Sequence, residues 1–330
     1  LGVYVLCDDS LTRRITGHHL REYFNAFFNT INLIFRKLPS KVRFKVVAVE
    51  SSSNLEILQL AYASANMRNN LNLYGRWQEQ IELNKDGKIL DAATSKKLMT
   101  YFNATGVPYN NSHIIVLFTA KNVLFSQVAH DKQGDKKVVD DMKPALGGIC
   151  AGENIVITQD DGFFVGIVFT ARKLARLLGA NYDYREKTDC RYDSSMLMGD
   201  VYRRKSYTMS SCTIQNLTSW IQTNGYCLTN KFRFQVSSTE DLPADLFKPD
   251  KFCAQKYKGK ENIAECTQEK WDISGYPAAG TCKVRCCYGT IRAWKRNMFS
   301  MYTVGALDGY TCKTNTVGNG ICVNGACEKR

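Results

Sequence analysis

Histidine is scarce in this chain: four in 330 residues, His18, His19, His113 and His130, with none beyond. His18 and His19 are adjacent, which sets them about 100° apart on a helix, and His113 and His130 fall on a strand and a loop. Each is expected to be a satisfied structural imidazole rather than a metal ligand. The sequence also lacks a G-x-S-x-G elbow, a P-loop and a G-x-G-x-x-G turn, which removes the serine-hydrolase, nucleotide-hydrolase and dinucleotide-binding signatures. Cys-x-x-Cys pairs are absent, and so are nucleic-acid-binding motifs. No apolar run approaches the roughly 18 to 20 residues that cross a bilayer, so no membrane insertion is expected. The chain starts at Leu1 with no initiating methionine and no charged, apolar leader, as a processed or trimmed product would.

What is abundant points outside the cell. There are 13 cysteines, and eight of them (Cys253, Cys266, Cys282, Cys286, Cys287, Cys312, Cys322, Cys327) crowd the last hundred residues. Without histidines or Cys-x-x-Cys spacing nearby, that tail reads as a disulfide scaffold rather than a zinc finger. Asn103, Asn110 and Asn216 each head an N-glycosylation sequon, consistent with a secreted glycoprotein. The formal charge of +13 favours anionic partners, and outside cells these are sulfated glycans, anionic surfaces and acidic proteins. Its short basic clusters, YRRKSY (202–207), KYKGK (256–260) and RAWKRN (292–297), each read first as solvated surface charge.

Hydrophobic periodicity gives the architecture. GVYVLC (2–7) reads as a strand, and Leu20, Phe24, Phe27, Ile31, Phe35 and Leu38 recur at helical spacing. Strands are predicted at 42–49, 112–119 and 153–160, with helices near 61–83, 91–103 and 210–223. From 164 to 178, Phe164, Val168, Ala171, Ala175 and Leu178 form one apolar stripe, and Gly179 sits where a helix stops on a left-handed residue. Strands interleaved with helices imply an α/β domain around a largely parallel sheet. After Cys227 the pattern changes to short segments and cysteines, so the division falls near residue 230: an α/β domain over 1–229 and a cysteine-rich domain over 230–330.

The stretch TARKLARLLGANYDY (170–184) has the frame of a zinc-protease helix without its ligands. In the signature H-E-x-x-H-x-x-G-x-x-H, two histidines one turn apart share a face, a glycine turns the chain back to bring a third, and the glutamate activates the metal-bound water. Laid over this chain, the glycine is Gly179, but the histidine positions hold Arg172, Arg176 and Tyr182 and the glutamate position holds Lys173. Arginine has no lone pair to offer and stays protonated, so it cannot replace an imidazole. One phenol beside three cations does not make a zinc site.

Other segments extend the likeness in the correct order: VYVLCDDSLTRRI then YFNAFFNTINLIFRKL at the start, ALGGICAGENIVITQDD before the helix, and LLGANYD at its end. CRYDSSMLMGD follows, resembling a Met-turn with Met198 at the methionine, then SSCTIQNLTSWIQTNGYCL as a closing helix. DGYTCKTNTVGNGICVNGACEKR ends the chain. Together they resemble the reprolysin (adamalysin) family of metzincin proteases, most of all the reprolysin-like metalloproteases of tick saliva, whose tails are similarly cysteine-rich. The resemblance implies a metzincin-like domain followed by a small disulfide-rich domain, with Gly179, Asp183 and Met198 as structural motif residues. By family analogy Cys150 pairs with Cys227 and Cys190 with Cys212, eight cysteines pair within the tail, and Cys7 is left as a buried thiol.

Function follows as an expectation: a salivary, catalytically inactive pseudoprotease with no catalytic residues and no zinc cofactor, binding a host extracellular or cell-surface protein and so modulating haemostasis, inflammation or immunity. The alternative is a binder of polyanions such as glycosaminoglycans. Arg172, Lys173 and Arg176 have two readings of their own. They fill the vacated metal site and pair with local carboxylates, Asp183, Asp193 and Asp200 being candidates, or they line an anion-binding cleft for an acidic peptide or sulfated sugar. The first is favoured because losing the charge of a zinc ion demands an internal replacement.

Overall fold

The computed structural model describes residues 1–15, 19–51, 55–57, 76–105, 112–124, 127–130, 136–139, 144–183, 190, 196–199, 208–229, 239–247, 249–260, 262–267, 282–290, 298–314 and 316–329. The chain divides into two compact units, Leu1–Glu240 and Asp241–Arg330. The predicted helix near 61–83 lies mostly outside the described residues; its described end holds a 3-10 turn at Arg76–Gln80.

The first unit runs β1 (Gly2–Cys7), α1 (Asp9–Thr12), α2 (Leu20–Phe35), β2 (Lys45–Ser51), β3 (Leu55–Ile57), β4 (Ile89–Leu90), α3 (Asp91–Thr105), β5 (Ile114–Thr119), β6 (Val123–Leu124), β7 (Gln127–His130), β8 (Lys136–Val139), β9 (Ile155–Gln159), α4 (Ile167–Leu177) and α5 (Ser211–Asn224). Its main sheet has the order β3-β2-β1-β5-β9, parallel throughout except for β3. A parallel sheet covered on both faces needs strands that are apolar throughout, and GVYVLC and IIVLFT are buried at every position. On one face the α2 rings of Phe24 and Phe27 lie 4.6 and 4.9 Å from Phe118 of β5. On the other, Tyr4, Leu6, Ile115, Leu117 and Ile157 pack with Trp77 and with Leu98 and Phe102 of α3. This is a mixed α/β domain with packed helices, as the periodicity predicted.

The start of α4 corrects the sequence expectation. Phe164 is buried but adopts a left-handed φ of 63°, so the helix begins at Ile167. The cause is the turn that precedes it. Asp160, 1% exposed, accepts hydrogen bonds from Tyr23 Oη (2.6 Å), Gly162 N (2.7 Å) and Gly166 N (2.8 Å), and burial raises its carboxyl to about 6. The core face of α4 is therefore Ile167, Thr170, Ala171, Leu174, Ala175 and Leu177, while Val168 is only half-buried. Cys7 is the free cysteine; it is buried beside Thr12, and burial pushes its thiol up to about 12, which makes it unreactive.

The second unit has little apolar core and much covalent bracing. It contains α6 (Pro243–Leu246), α7 (Pro249–Lys256), the antiparallel sheet β10 (Ala264–Glu265), β11 (Lys283–Thr290), β12 (Met298–Gly305), and a second antiparallel sheet β13 (Thr311–Thr314), β14 (Gly318–Val323), β15 (Ala326–Glu328). Four disulfides hold it: Cys253–Cys286, Cys266–Cys287, Cys282–Cys322 and Cys312–Cys327. All eight tail cysteines are thus paired, and a unit this small needs such bridges, each contributing ~2 to 4 kcal/mol.

Asp308 of this unit accepts the backbone N–H of Asn324, and burial pushes its carboxyl up to about 7. An acid whose folded value is raised binds more protons folded than unfolded, so stability falls as pH rises from the ordinary aspartate range, about 4, to beyond 7. Asp308→Asn is expected to abolish that slope while keeping an acceptor for Asn324. Hydrogen exchange of the 308–324 backbone at pH 5 and pH 8 checks it.

Candidate functional site

The C-terminus of α4 is built by its own sequence. Gly179 N donates to Arg176 O (3.0 Å) and Ala180 N to Ala175 O (2.9 Å), the paired bonds of a Schellman stop, with Gly179 at φ 88°. Ala175 and Ala180 are both fully buried, which supplies the apolar contact such stops use. A Cβ at Gly179 would stand 2.3 Å from Trp220 Cγ, and one at Gly147, also left-handed, 2.5 Å from Trp220 Nε1. Trp220 of α5 thus sits against two glycine backbones, one after α4 and one in the loop before β9. Gly179→Ala is expected to lose about 2 to 3 kcal/mol, through the left-handed φ and the crowding together, read as a lowered thermal midpoint.

The turn brings the four motif positions into two groups. The Arg172 guanidinium carbon lies 4.5 Å from the centroid of the Tyr182 ring, and that of Arg176 lies 5.2 Å from it. Arg172 Nη1 donates to the Gly199 carbonyl, and Arg176 Nε donates to Pro144 O at 2.9 Å. Lys173 turns away from them: its Nζ is 2.6 Å from Asp91 Oδ2 and 2.7 Å from Ile157 O, with both partners of the pair nearly buried. Guanidiniums stacked on a phenol ring gain a cation–π attraction that fixes their planes.

Beneath this group lies a buried polar clamp. Asp183 N donates to Met198 O (3.0 Å), and Met198 is fully buried. Asp183 Oδ1 accepts from Ser210 Oγ (2.7 Å), which also caps α5 by accepting from Thr213 N (3.0 Å). Burial raises the Asp183 carboxyl, opposed by the Ser210 and Thr213 hydroxyls and by the charge of Arg172. Two bridges pin the surroundings: Cys150–Cys227 joins the loop before β9 to the 3-10 turn that follows α5, and Cys190–Cys212 joins the segment after Asp183 to the first turn of α5.

The carboxylate that pairs with Lys173 is not among those expected from the sequence. Asp91, on α3 and 82 residues away in sequence, pairs with Lys173. Neither Arg172 nor Arg176 forms an ion pair with a carboxylate among the described residues; Asp183 acts on Arg172 only through its field. Asp193 and Asp200 lie outside the described residues. Among the described residues, backbone carbonyls and the Tyr182 ring take up the guanidiniums, at lower desolvation cost than a fully buried ion pair.

Zinc does not fit this donor set. Two guanidiniums offer donors only, and Lys173 is committed to Asp91. Among the described residues, the one cluster of ligating atoms close enough to share an ion, Cys282, Cys312 and Cys322 within 4.8 Å, consists of sulfurs already spent in Cys282–Cys322 and Cys312–Cys327. His113 Nδ1 accepts from Gly2 N at 3.1 Å, and burial with the nearby N-terminal charge lowers its imidazole to about 4. No family model and no curated protein matches this chain. Its functional reading therefore rests on its own residues.

The remaining sequence candidates are dispersed. Asn103 is exposed in the last turn of α3, Asn216 is half-buried on α5, and Asn110 lies outside the described residues. Of the basic clusters only KYKGK is described. There Lys260 Nζ stands 5.3 Å above the Tyr288 ring, which continues a stack with Tyr302 (5.3 Å) and Tyr257 (4.8 Å from Tyr302).

Proposed function

We propose that this chain is a secreted, catalytically inactive reprolysin-like protein, a pseudoprotease that uses a retained scaffold to bind a host extracellular or cell-surface macromolecule at a tick feeding site. One observation carries the proposal. After a helix that stops on Gly179, the chain returns Tyr182 to within 4.5 and 5.2 Å of the Arg172 and Arg176 guanidiniums, so three side chains converge where a protease of this type gathers its metal ligands, and none of them is a ligand. The α/β architecture, the buried Met198 turn and the bridges Cys150–Cys227 and Cys190–Cys212 support the resemblance. Secretion is supported by six disulfides and by the exposed sequon at Asn103.

A second reading, polyanion binding, is supported by the +13 charge and by exposed Lys258 and Lys260. Affinity capture separates the two. The glycosylated protein is immobilised, vertebrate plasma and cell-surface extracts are passed over it, and bound species are eluted with rising salt. Exposed charge attraction is largely screened above about 0.5 M, so a single protein retained beyond that point supports a specific binder. Release of many acidic species below it supports the polyanion reading.

A further inference from the structure

We propose that the outer face of α4 is a docking site for an extended acidic peptide segment carrying apolar side chains, with Arg176 as its principal carboxylate anchor. This rests on the non-catalytic reading above and specifies the chemistry of the partner. Phe169, Arg172 and Arg176 are spaced by three and four residues on α4, so they share one face, and Val165 lies in the turn just before the helix. The upper half of that stripe is apolar and open to solvent, with Val165 47% and Phe169 42% exposed. Leu146, 45% exposed, extends the surface beside Arg176, because the segment that carries it bonds to that residue through Pro144 O and Gly147 N.

The lower half is cationic and already ordered. Arg176 spends Nε on Pro144 O, and its Nη1 and Nη2 have no hydrogen-bond partner among the described residues. That leaves a donor fork of the kind that takes a carboxylate through two parallel bonds. The Tyr182 ring and the carbonyl contact hold the guanidinium plane in advance, so less side-chain entropy is lost on binding. Asp183 offsets part of the charge of Arg172, and Arg176 forms no ion pair among the described residues. Charge complementarity selects an anionic occupant, and the adjoining Phe169, Val165 and Leu146 select a peptide over a sulfated sugar chain, which has no apolar side chains to cover them.

The test uses the full chain and a short capped fluorescent peptide alternating glutamate with leucine and phenylalanine, followed by anisotropy. Saturable binding is expected, with Arg176→Gln weakening it about tenfold, or roughly 1.4 kcal/mol. Phe169→Ser, at an exposed position that leaves the core intact, is expected to weaken it several-fold, and the glutamine version of the peptide is expected not to bind. Lys258→Gln in the second unit is expected to change nothing. Absence of peptide binding, or binding indifferent to both Arg176→Gln and Phe169→Ser, overturns the docking site. So does a sulfated heparin oligosaccharide that binds with the same Arg176 dependence while the peptide does not. Cleavage of the peptide, abolished by a chelator, would instead overturn the non-catalytic reading on which the site rests.

Discussion

Replacing Arg172, Arg176 and Tyr182 together by histidine is expected to create a stoichiometric zinc site in the micromolar range or tighter, about 8 kcal/mol of binding free energy. The reason is geometric. Positions 172 and 176 are one turn apart on α4, and the Gly179 turn already carries residue 182 back to both. Asp183, Met198, Ser210 and the two bridges of the first unit hold that turn from below and need no change. Three imidazoles there, plus water, complete the tetrahedral set that zinc prefers. Zinc uptake alone is not expected to confer hydrolysis, because the position that holds the water-activating carboxylate in the zinc-protease signature is Lys173. Installing glutamate there sets it against buried Asp91, so Lys173→Glu needs Asp91 changed with it. Metal analysis with near-ultraviolet circular dichroism checks this: a folded triple variant that takes up no zinc would show that the turn does not present a metal-site geometry.

Lys173→Met is expected to cost about 3 to 5 kcal/mol, because it strands the Asp91 carboxylate, 3% exposed, without its cation. For a unit of this size that is roughly 6 to 20 °C in thermal midpoint. The double variant Lys173→Met, Asp91→Leu is expected to recover most of the loss, since apolar groups of similar volume replace a buried pair at little net cost. A single variant as stable as the parent would show the pair to be incidental. The pair bears on the proposed function as well: at the position where the zinc-protease signature has its glutamate, this chain has a cation tied to α3.

Much of this was legible in the sequence, for physical reasons that also mark where legibility ends. The four parallel strands of the main sheet and helices α2, α3, α4 and α5 followed from apolar periodicity, because burial on one or two faces writes that period directly, whereas the short antiparallel β3 was not foreseen. Gly179 announced its own left-handed stop. The pairings Cys150–Cys227 and Cys190–Cys212 came from the family likeness, since cysteine spacing alone leaves many connectivities open. The start of α4 was misplaced because Phe164 is apolar and in phase yet held outside the helix by the Asp160 turn, a feature set by Tyr23 far upstream. Asp91 as the partner of Lys173, the carbonyl contacts of the two arginines and the fit of Trp220 against Gly147 and Gly179 all join residues distant in sequence. Such contacts leave no local pattern to read.

The most direct test of the central claim is the metal content of the unaltered chain, secreted from cells grown with ample zinc and purified without chelator, assayed alongside for cleavage of a broad peptide-substrate set. The account predicts sub-stoichiometric zinc and no cleavage that a chelator abolishes. A stoichiometric zinc with chelator-sensitive cleavage that survives in the Arg172→Ala variant would contradict it, and would place an active metal centre elsewhere in this chain.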